Sequence, residues 1–184
     1  MSLRLIKAAA VAESSDELHL TRLLFLLGEA DKRSNKTIEG ITKLAKLDFL
    51  LRYPNCLERM LKALSKNTTR IDIKPHERTT IESKMVRFKY GPWDDRYRRW
   101  IGLLIAKKLA FTYHKGRTVH VGLTDKGREA IKILLTYDDF KDLEIRSKEI
   151  YKAVGNKSAT VLKNSIYDVF PEIIDLKWGQ GIDL

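Results

Sequence analysis

The stretch that decides the fold is Trp100–Ile131, WIGLLIAKKLAFTYHKGRTVHVGLTDKGREAI. Its first part belongs to a helix predicted from Asp94 to about Leu109, with Tyr97, Trp100, Ile101, Leu104 and Ile105 as its apolar members. Asp94 or Asp95 supplies the acidic start that free N–H groups favour. Phe111 to His114 and Thr118 to Leu123 are rich in aromatic and β-branched residues, and Lys115, Gly116 and Arg117 lie between them. That pattern predicts a hairpin with a glycine turn. Thr124 then caps a further helix, and Gly127 marks the close approach of a neighbouring element.

Helical periodicity also precedes this stretch. Leu20, Leu23, Leu24 and Leu27 predict a helix from Asp16 to about Ala30, started by Ser15 or Asp16. Thr37 is the expected cap of a second helix carrying Ile41, Leu44, Leu47 and Leu51, stopped or redirected by Pro54. Asn55 is the expected cap of a third, with Leu57, Met60, Leu61 and Leu64 as its stripe. A polar insert occupies about 67–84, with a short strand expected at Arg70 to Ile73. Lys84 to Tyr90 alternates, which places Val86, Phe88 and Tyr90 on one face and Met85 on the other.

The order of helix, two-stranded hairpin and helix after upstream helices predicts a mainly α protein. It is a winged helix-turn-helix domain over residues 1–135, with a helical C-terminal extension over 136–184. The stretch resembles the wing region of many bacterial winged-helix proteins, which end their hairpin in Leu-Thr-x-x-Gly-Arg, here Leu123, Thr124, Asp125, Lys126, Gly127 and Arg128. By analogy the helix before the hairpin is the recognition helix. Arg96, Arg98, Arg99 and Lys107 are its candidates for nucleic-acid contact, and Lys115 and Arg117 are those of the wing tip. Trp93, Tyr97 and Trp100 interleave with the arginines, where they either stack on bases or close the core; the core reading is favoured for Trp100.

Charge agrees with that placement. The 184 residues carry 35 Lys and Arg against 24 Asp and Glu, a net charge of +11. The segment from Lys84 to Arg128 alone has 12 basic and 3 acidic residues, whereas 129–184 is slightly acidic. A local excess is the electrostatic footprint of an anionic partner. Phosphate contact is the simpler expectation than base reading, because the helix lacks Asn, Gln or Ser near its start.

A more particular resemblance rests on Leu47-Asp48-Phe49-Leu50-Leu51-Arg52-Tyr53-Pro54, then Tyr90-Gly91-Pro92-Trp93-Asp94, then Leu123-Thr124-Asp125-Lys126-Gly127. With the wing, these blocks resemble the middle component of bacterial three-component ABC-ATPase conflict systems, the group that contains the Lamassu-type defence systems. The resemblance implies a non-catalytic accessory subunit. Its partners would be an SMC-like ATPase subunit and an effector subunit, with double-stranded DNA engaged directly or through the complex. The alternative is a stand-alone dimeric winged-helix transcriptional regulator, joined through its C-terminal helices. For that extension, Leu162, Ile166, Phe170 and Trp178 are the candidate partner-binding residues, unless the helices fold back to complete the core. The tail Glu172 to Leu184 adds a strand or anchor to a partner, or frays.

Other chemistries find little support. The chain has no GxxxxGK[ST], GxSxG or HExxH pattern, so no catalytic residue, metal or cofactor is expected. His114 and His120 flank the hairpin and are read as ordinary strand residues that face each other across it. Asp168, Glu172, Asp175 and Lys177 echo a metal nuclease only weakly, because such sites sit on a central sheet. A run of 18 apolar residues is absent, which excludes a spanning helix; the net charge suits nucleic acid, an anionic membrane or an acidic protein, and no membrane partner is expected. The single cysteine, Cys56, lies in an apolar stripe and suits a cytoplasmic location.

Overall fold

The computed structural model describes residues 15–33, 36–78 and 84–183. The first helix, α1 (Asp16–Asp31), is buried along most of its circumference: Leu20, Leu23, Phe25, Leu26 and Leu27 all lie inside. It packs against helices on several sides and against the main sheet. Ser15 stands at its N-cap position, but the hydroxyl donates to Glu17 Oε2 instead of capping the backbone.

The second element corrects the sequence reading. Thr37 is not a helix cap; it opens a three-residue strand, β1 (Thr37–Glu39). The next helix, α2 (Ile41–Arg52), starts from Gly40, whose φ of 88° turns the chain out of the strand. Only glycine adopts such a conformation without a Cβ penalty. Pro54 redirects the chain as expected and becomes the first residue of α3 (Pro54–Ala63), where its missing N–H costs nothing. Tyr53, not Asn55, is at the cap position, and the Tyr53 hydroxyl accepts the Met85 N–H at 2.8 Å. Leu57, Met60 and Leu61 form the buried stripe of α3.

In the polar insert, the strand expected at Arg70 to Ile73 does not form. Those residues run through a turn, with Ile71 buried, into a short 3-10 helix at Pro75–Arg78. Side-chain anchoring takes the place of a ladder: Arg146 donates to Glu77 Oε1 and Oε2 and to the Asp72 carbonyl. Positions 79–83 of the insert, and the N-terminal stretch 1–14, lie outside the described residues.

A small hairpin follows, β2 (Val86–Phe88) with β3 (Gly91–Trp93). Its faces are reversed from the expectation: Met85 is wholly buried, whereas Phe88 and Tyr90 are exposed. The reason is the C-terminal tail, which pairs with this strand. Arg87 donates its N–H to the Gln180 carbonyl, and Ile182 donates to the Met85 carbonyl at 2.7 Å. Ile182 is fully buried, so this part of the tail neither frays nor remains open to a partner.

The decisive stretch folds as α4 (Tyr97–Ala106), β4 (Ala110–Lys115), β5 (Thr118–Leu123) and α5 (Asp125–Leu134). Strand β5 is central in an antiparallel sheet of order β1-β5-β4, with Ile38 opposite Val121 and Tyr113 opposite His120. Gly116, at the first position of the two-residue loop, has φ 59°. Thr124 Oγ1 accepts the Gly127 N–H at 3.1 Å and donates to the Lys108 carbonyl at 2.6 Å. A Cβ at Gly127 would stand 2.1 Å from the Leu109 carbonyl oxygen, so the close approach expected there is real.

The rest of the chain is α6 (Lys141–Val154), α7 (Ala159–Val169) and the single turn α8 (Glu172–Asp175). Ser158 caps α7 by accepting the Val161 N–H. These helices do not stand apart from the preceding region. Ile150, Val154, Leu162, Ile166, Phe170 and Ile173 belong to one hydrophobic core shared with α1, α2 and α3. Among the described residues the result is a mainly α-helical fold with one three-stranded sheet and one two-stranded hairpin.

Candidate nucleic-acid interface

The six basic candidates divide into two classes. Arg98 and Lys107 on and just after α4, and Lys115 and Arg117 at the hairpin tip, are exposed and make no ion pair among the described residues. Arg96 and Arg99 are tied to the fold. Arg96 donates from Nε and Nη2 to the Asp94 carboxylate at 2.9 and 2.7 Å, and Arg99 pairs with Asp16 at the start of α1. Other basic residues of the same segment are also engaged: Arg128 grips Asp31 and Asp125, and Lys84 meets Asp183. Sequence charge alone overstates the free cationic surface, because it does not reveal which residues are paired.

Behind α4 lies a buried ionic cluster that sequence reading missed. Arg52 Nη2 reaches Asp48 at 3.0 Å and its Nη1 reaches Asp94 at 3.0 Å. The Tyr97 hydroxyl donates to Asp48 Oδ2 at 2.6 Å, and Arg22 Nε stands 3.5 Å from Asp48 Oδ1. Asp48, Arg52 and Arg22 are all at most 2% exposed. The cluster joins α1, α2 and the start of α4, and so fixes the angle at which α4 presents Arg98 and Lys107. Charges buried this deeply persist only when paired, and loss of one partner is costly. The single signal in the sequence is Asp48 and Arg52 at i, i+4 in an otherwise apolar helix.

Titration follows this geometry. Burial alone would raise the Asp94 pKa, but hydrogen bonds from Arg96 and the charge of Arg52 outweigh it and hold the carboxyl far below its ordinary value. Burial, with the neighbouring charges of Arg22 and Arg52, lowers the His19 pKa to about 4. The neutral His19 ring stacks on Trp100, with centroids 4.0 Å apart, and its Nδ1 meets Arg22 Nη2 at 2.7 Å. The Arg96 guanidinium lies 4.8 Å from the centroid of the same indole. Trp100 is fully buried and donates Nε1–H to Asp16, so it is a core residue and not a base-stacking platform. Trp93 packs against Tyr97 and Phe88, which joins the small hairpin to α4.

The outer face of the main sheet carries a second unforeseen feature. Phe111 and Tyr113 stack at 6.3 Å, and Tyr113 stacks on His120 at 4.8 Å. Phe111 lies so closely over Gly122 that a Cβ there would meet its ring at 2.7 Å. Both aromatic rings remain at least 40% exposed beside the cationic hairpin tip. His114 pairs with Val119 and His120 with Tyr113, so the two histidines project from opposite faces and do not face each other.

The partner candidates also require correction. Leu162, Ile166 and Phe170 are fully buried, and Phe170 meets Phe49 edge-on at 5.7 Å. They complete this chain's own core and present no surface to a partner. Trp178 alone of the four is open, at 65% exposure. Further exposed apolar residues lie on and after α5, at Ile133 and Tyr137. A cavity of about 210 Å³ lies between α1 and α5, with Phe25, Gly28, Leu123, Ile131 and Leu135 among its lining and charged residues such as Arg128 also bordering it.

Catalytic features are sparse. Glu172, from the weak nuclease pattern, is paired with Arg59. Among the described residues no three His, Cys, Asp or Glu side chains gather as a metal site. Burial pushes the Cys56 thiol up to about 12, which leaves it unreactive at neutral pH. No helix among the described residues is long and apolar enough to cross a membrane. Comparison with models of protein families, with curated proteins and with solved structures finds no match to this chain.

Proposed function

We propose that the chain is a winged-helix, non-catalytic accessory subunit that contacts DNA within an SMC-like ATPase defence complex. In this reading α2 and α4 are the helix-turn-helix pair, interrupted by the insert that contains α3 and the small hairpin. Strands β4 and β5 are the wing. The observation that carries the DNA-binding part is that Arg98, Lys107, Lys115 and Arg117, on and just after α4 and at the tip of the hairpin it feeds, are exposed and make no ion pair among the described residues. Such cations bind phosphates and release counterions. The complex-subunit part rests on the resemblance of the Leu47–Pro54, Tyr90–Asp94 and Leu123–Gly127 blocks. The chain would bridge the ATPase and the effector in the cytoplasm.

The test is a tagged pull-down from native cells, with half of the sample treated with nuclease. Recovery of a coiled-coil ATPase in both halves is the expected result. Recovery of partners only through DNA, or of this chain alone, would overturn the complex reading.

One observation favours a second reading, a dimeric transcriptional regulator. Ile133 and Tyr137 are exposed apolar residues on and after α5, whereas the C-terminal helices that the sequence suggested as the dimer contact bury Leu162, Ile166 and Phe170. Light scattering of the purified chain distinguishes the two: a stable dimer supports the regulator and a monomer supports the subunit.

A further inference from the structure

A pocket of about 430 Å³ opens between the C-terminal end of α1, strand β1 and the junction of α6 with α7. We propose that it binds a phosphoryl group. Three cations line it: Arg33, Lys43 and Lys157, opposed by one carboxylate, Glu39, at the rim. Neither the Arg33 nor the Lys157 side chain has a hydrogen bond or ion pair among the described residues. Lys43 Nζ donates to the Gly155 carbonyl at 2.8 Å and thereby holds the α6–α7 turn in place.

Two further features point at the same space. The α7 N-terminus borders the pocket through its cap residue Ser158. The Ser158 side chain satisfies only the Val161 N–H, so the amides of Ala159 and Thr160 remain without helical acceptors, as the first turn of any helix dictates. Independently, Tyr151 lines the pocket while only 5% exposed, and its hydroxyl has no hydrogen-bond partner among the described residues. That hydroxyl is not cut off from solvent, so it is free to bond a ligand oxygen in place of water. Burial and the Glu29 carboxylate raise the Tyr151 pKa, and Arg33 lies near enough to that phenol to offset part of the rise. Cations, helix amides and an accessible hydroxyl with no bond inside the protein together match a tetrahedral oxyanion with several acceptor oxygens.

The group could be carried by a small phosphorylated compound or by the backbone of DNA. The pocket alone carries this inference, which does not depend on the function proposed above. The probe is pyrophosphate, added to the full chain at constant ionic strength while thermal unfolding is followed. At about a hundred times its Kd, pyrophosphate raises Tm by roughly 5–10 °C. Arg33→Glu with Lys157→Glu abolishes that shift. Tyr151→Phe weakens pyrophosphate binding about tenfold, yet without ligand melts no lower than the parent, because it loses no internal bond. A parent protein that ignores pyrophosphate, or a charge-reversed variant that keeps the full shift, overturns the proposal. A second arm titrates a short DNA duplex. Competition by pyrophosphate, with loss of duplex affinity in the double variant, assigns the phosphoryl group to DNA. Pyrophosphate binding abolished with duplex affinity unchanged assigns it to a small ligand.

Discussion

Arg52 of α2 and Asp94, three residues ahead of α4, meet at 3.0 Å in the protein interior, both nearly inaccessible to solvent. The pair spans the insert, so it fastens two helices that the chain itself joins only through some forty residues of other structure. Arg52→Met leaves Asp48 with only Arg22 and the Tyr97 hydroxyl, and Asp94 with only Arg96, and we expect a loss of about 3 kcal/mol in a urea unfolding experiment. A loss below about 1 kcal/mol would show that the cluster is solvated and does not set the pose of α4.

The same cluster makes stability depend on pH, with two groups acting in one direction. Asp94 titrates below its unfolded value, so its contribution is complete above about pH 4 and fades as acid protonates it in the folded state. His19 is held neutral down to about pH 4, whereas the unfolded imidazole takes a proton near pH 6.5. Between those values the unfolded chain binds more protons, so stability falls as pH falls from about 6.5 to 4. Urea midpoints measured across that window should decline, and His19→Gln should flatten the decline above about pH 4. A parent profile that is level from pH 6.5 to about 4 contradicts the assignment.

DNA binding is expected to depend on Arg98, Lys107, Lys115 and Arg117. Reversing Arg98 and Arg117 together should weaken duplex binding and lower the slope of log K against log salt by about 0.9 for each phosphate that the protein no longer neutralises. Circular dichroism and Tm should remain close to the parent, because neither side chain is tied to the fold. Arg96→Glu is different: it sets a carboxylate against Asp94, and it should lower Tm as well as affinity. Unchanged affinity and salt slope in the Arg98 and Arg117 variant would remove this face as the DNA surface.

Gly127→Ala forces a methyl group toward the Leu109 carbonyl, 2.1 Å from an ideal Cβ. Overpacking of this kind costs about 1–3 kcal/mol. Thr124→Val removes the acceptor for the Gly127 N–H and should cost about 1 kcal/mol. Chemical denaturation of both variants checks the ranking, with Gly127→Ala the more severe.

Much of the helical architecture is legible in the sequence. Leu20, Leu23, Leu24 and Leu27 mark α1, Thr124 and Gly127 mark the start of α5, and Gly116 marks the hairpin turn. The features that escape are nonlocal. Strand β1 is three residues long, too short for a periodic signal, and it exists because β5 offers it a ladder from far along the chain. The buried face of β2 cannot be read from alternation, because the tail around Ile182 covers Met85. The site is half legible for the same reason. The positions of the cations are visible, but the pairing of Arg96 with Asp94 and of Arg99 with Asp16 depends on contacts made in space.

Ile38 and Val121 are cross-strand partners, and the neighbouring Thr37 and His120 side chains that meet at 3.2 Å are 83 positions apart. A three-residue strand can contribute little until the chain between has been brought to order, because closing so long a loop is entropically unfavourable. That cost falls on the long-range seam, β1 against β5, whereas β4 and β5 are joined by a two-residue loop, and β4 has a partner on one side only. Lys115 and Arg117 thus ride on a locally closed hairpin, which the distant strand β1 anchors to the start of α2 through Gly40.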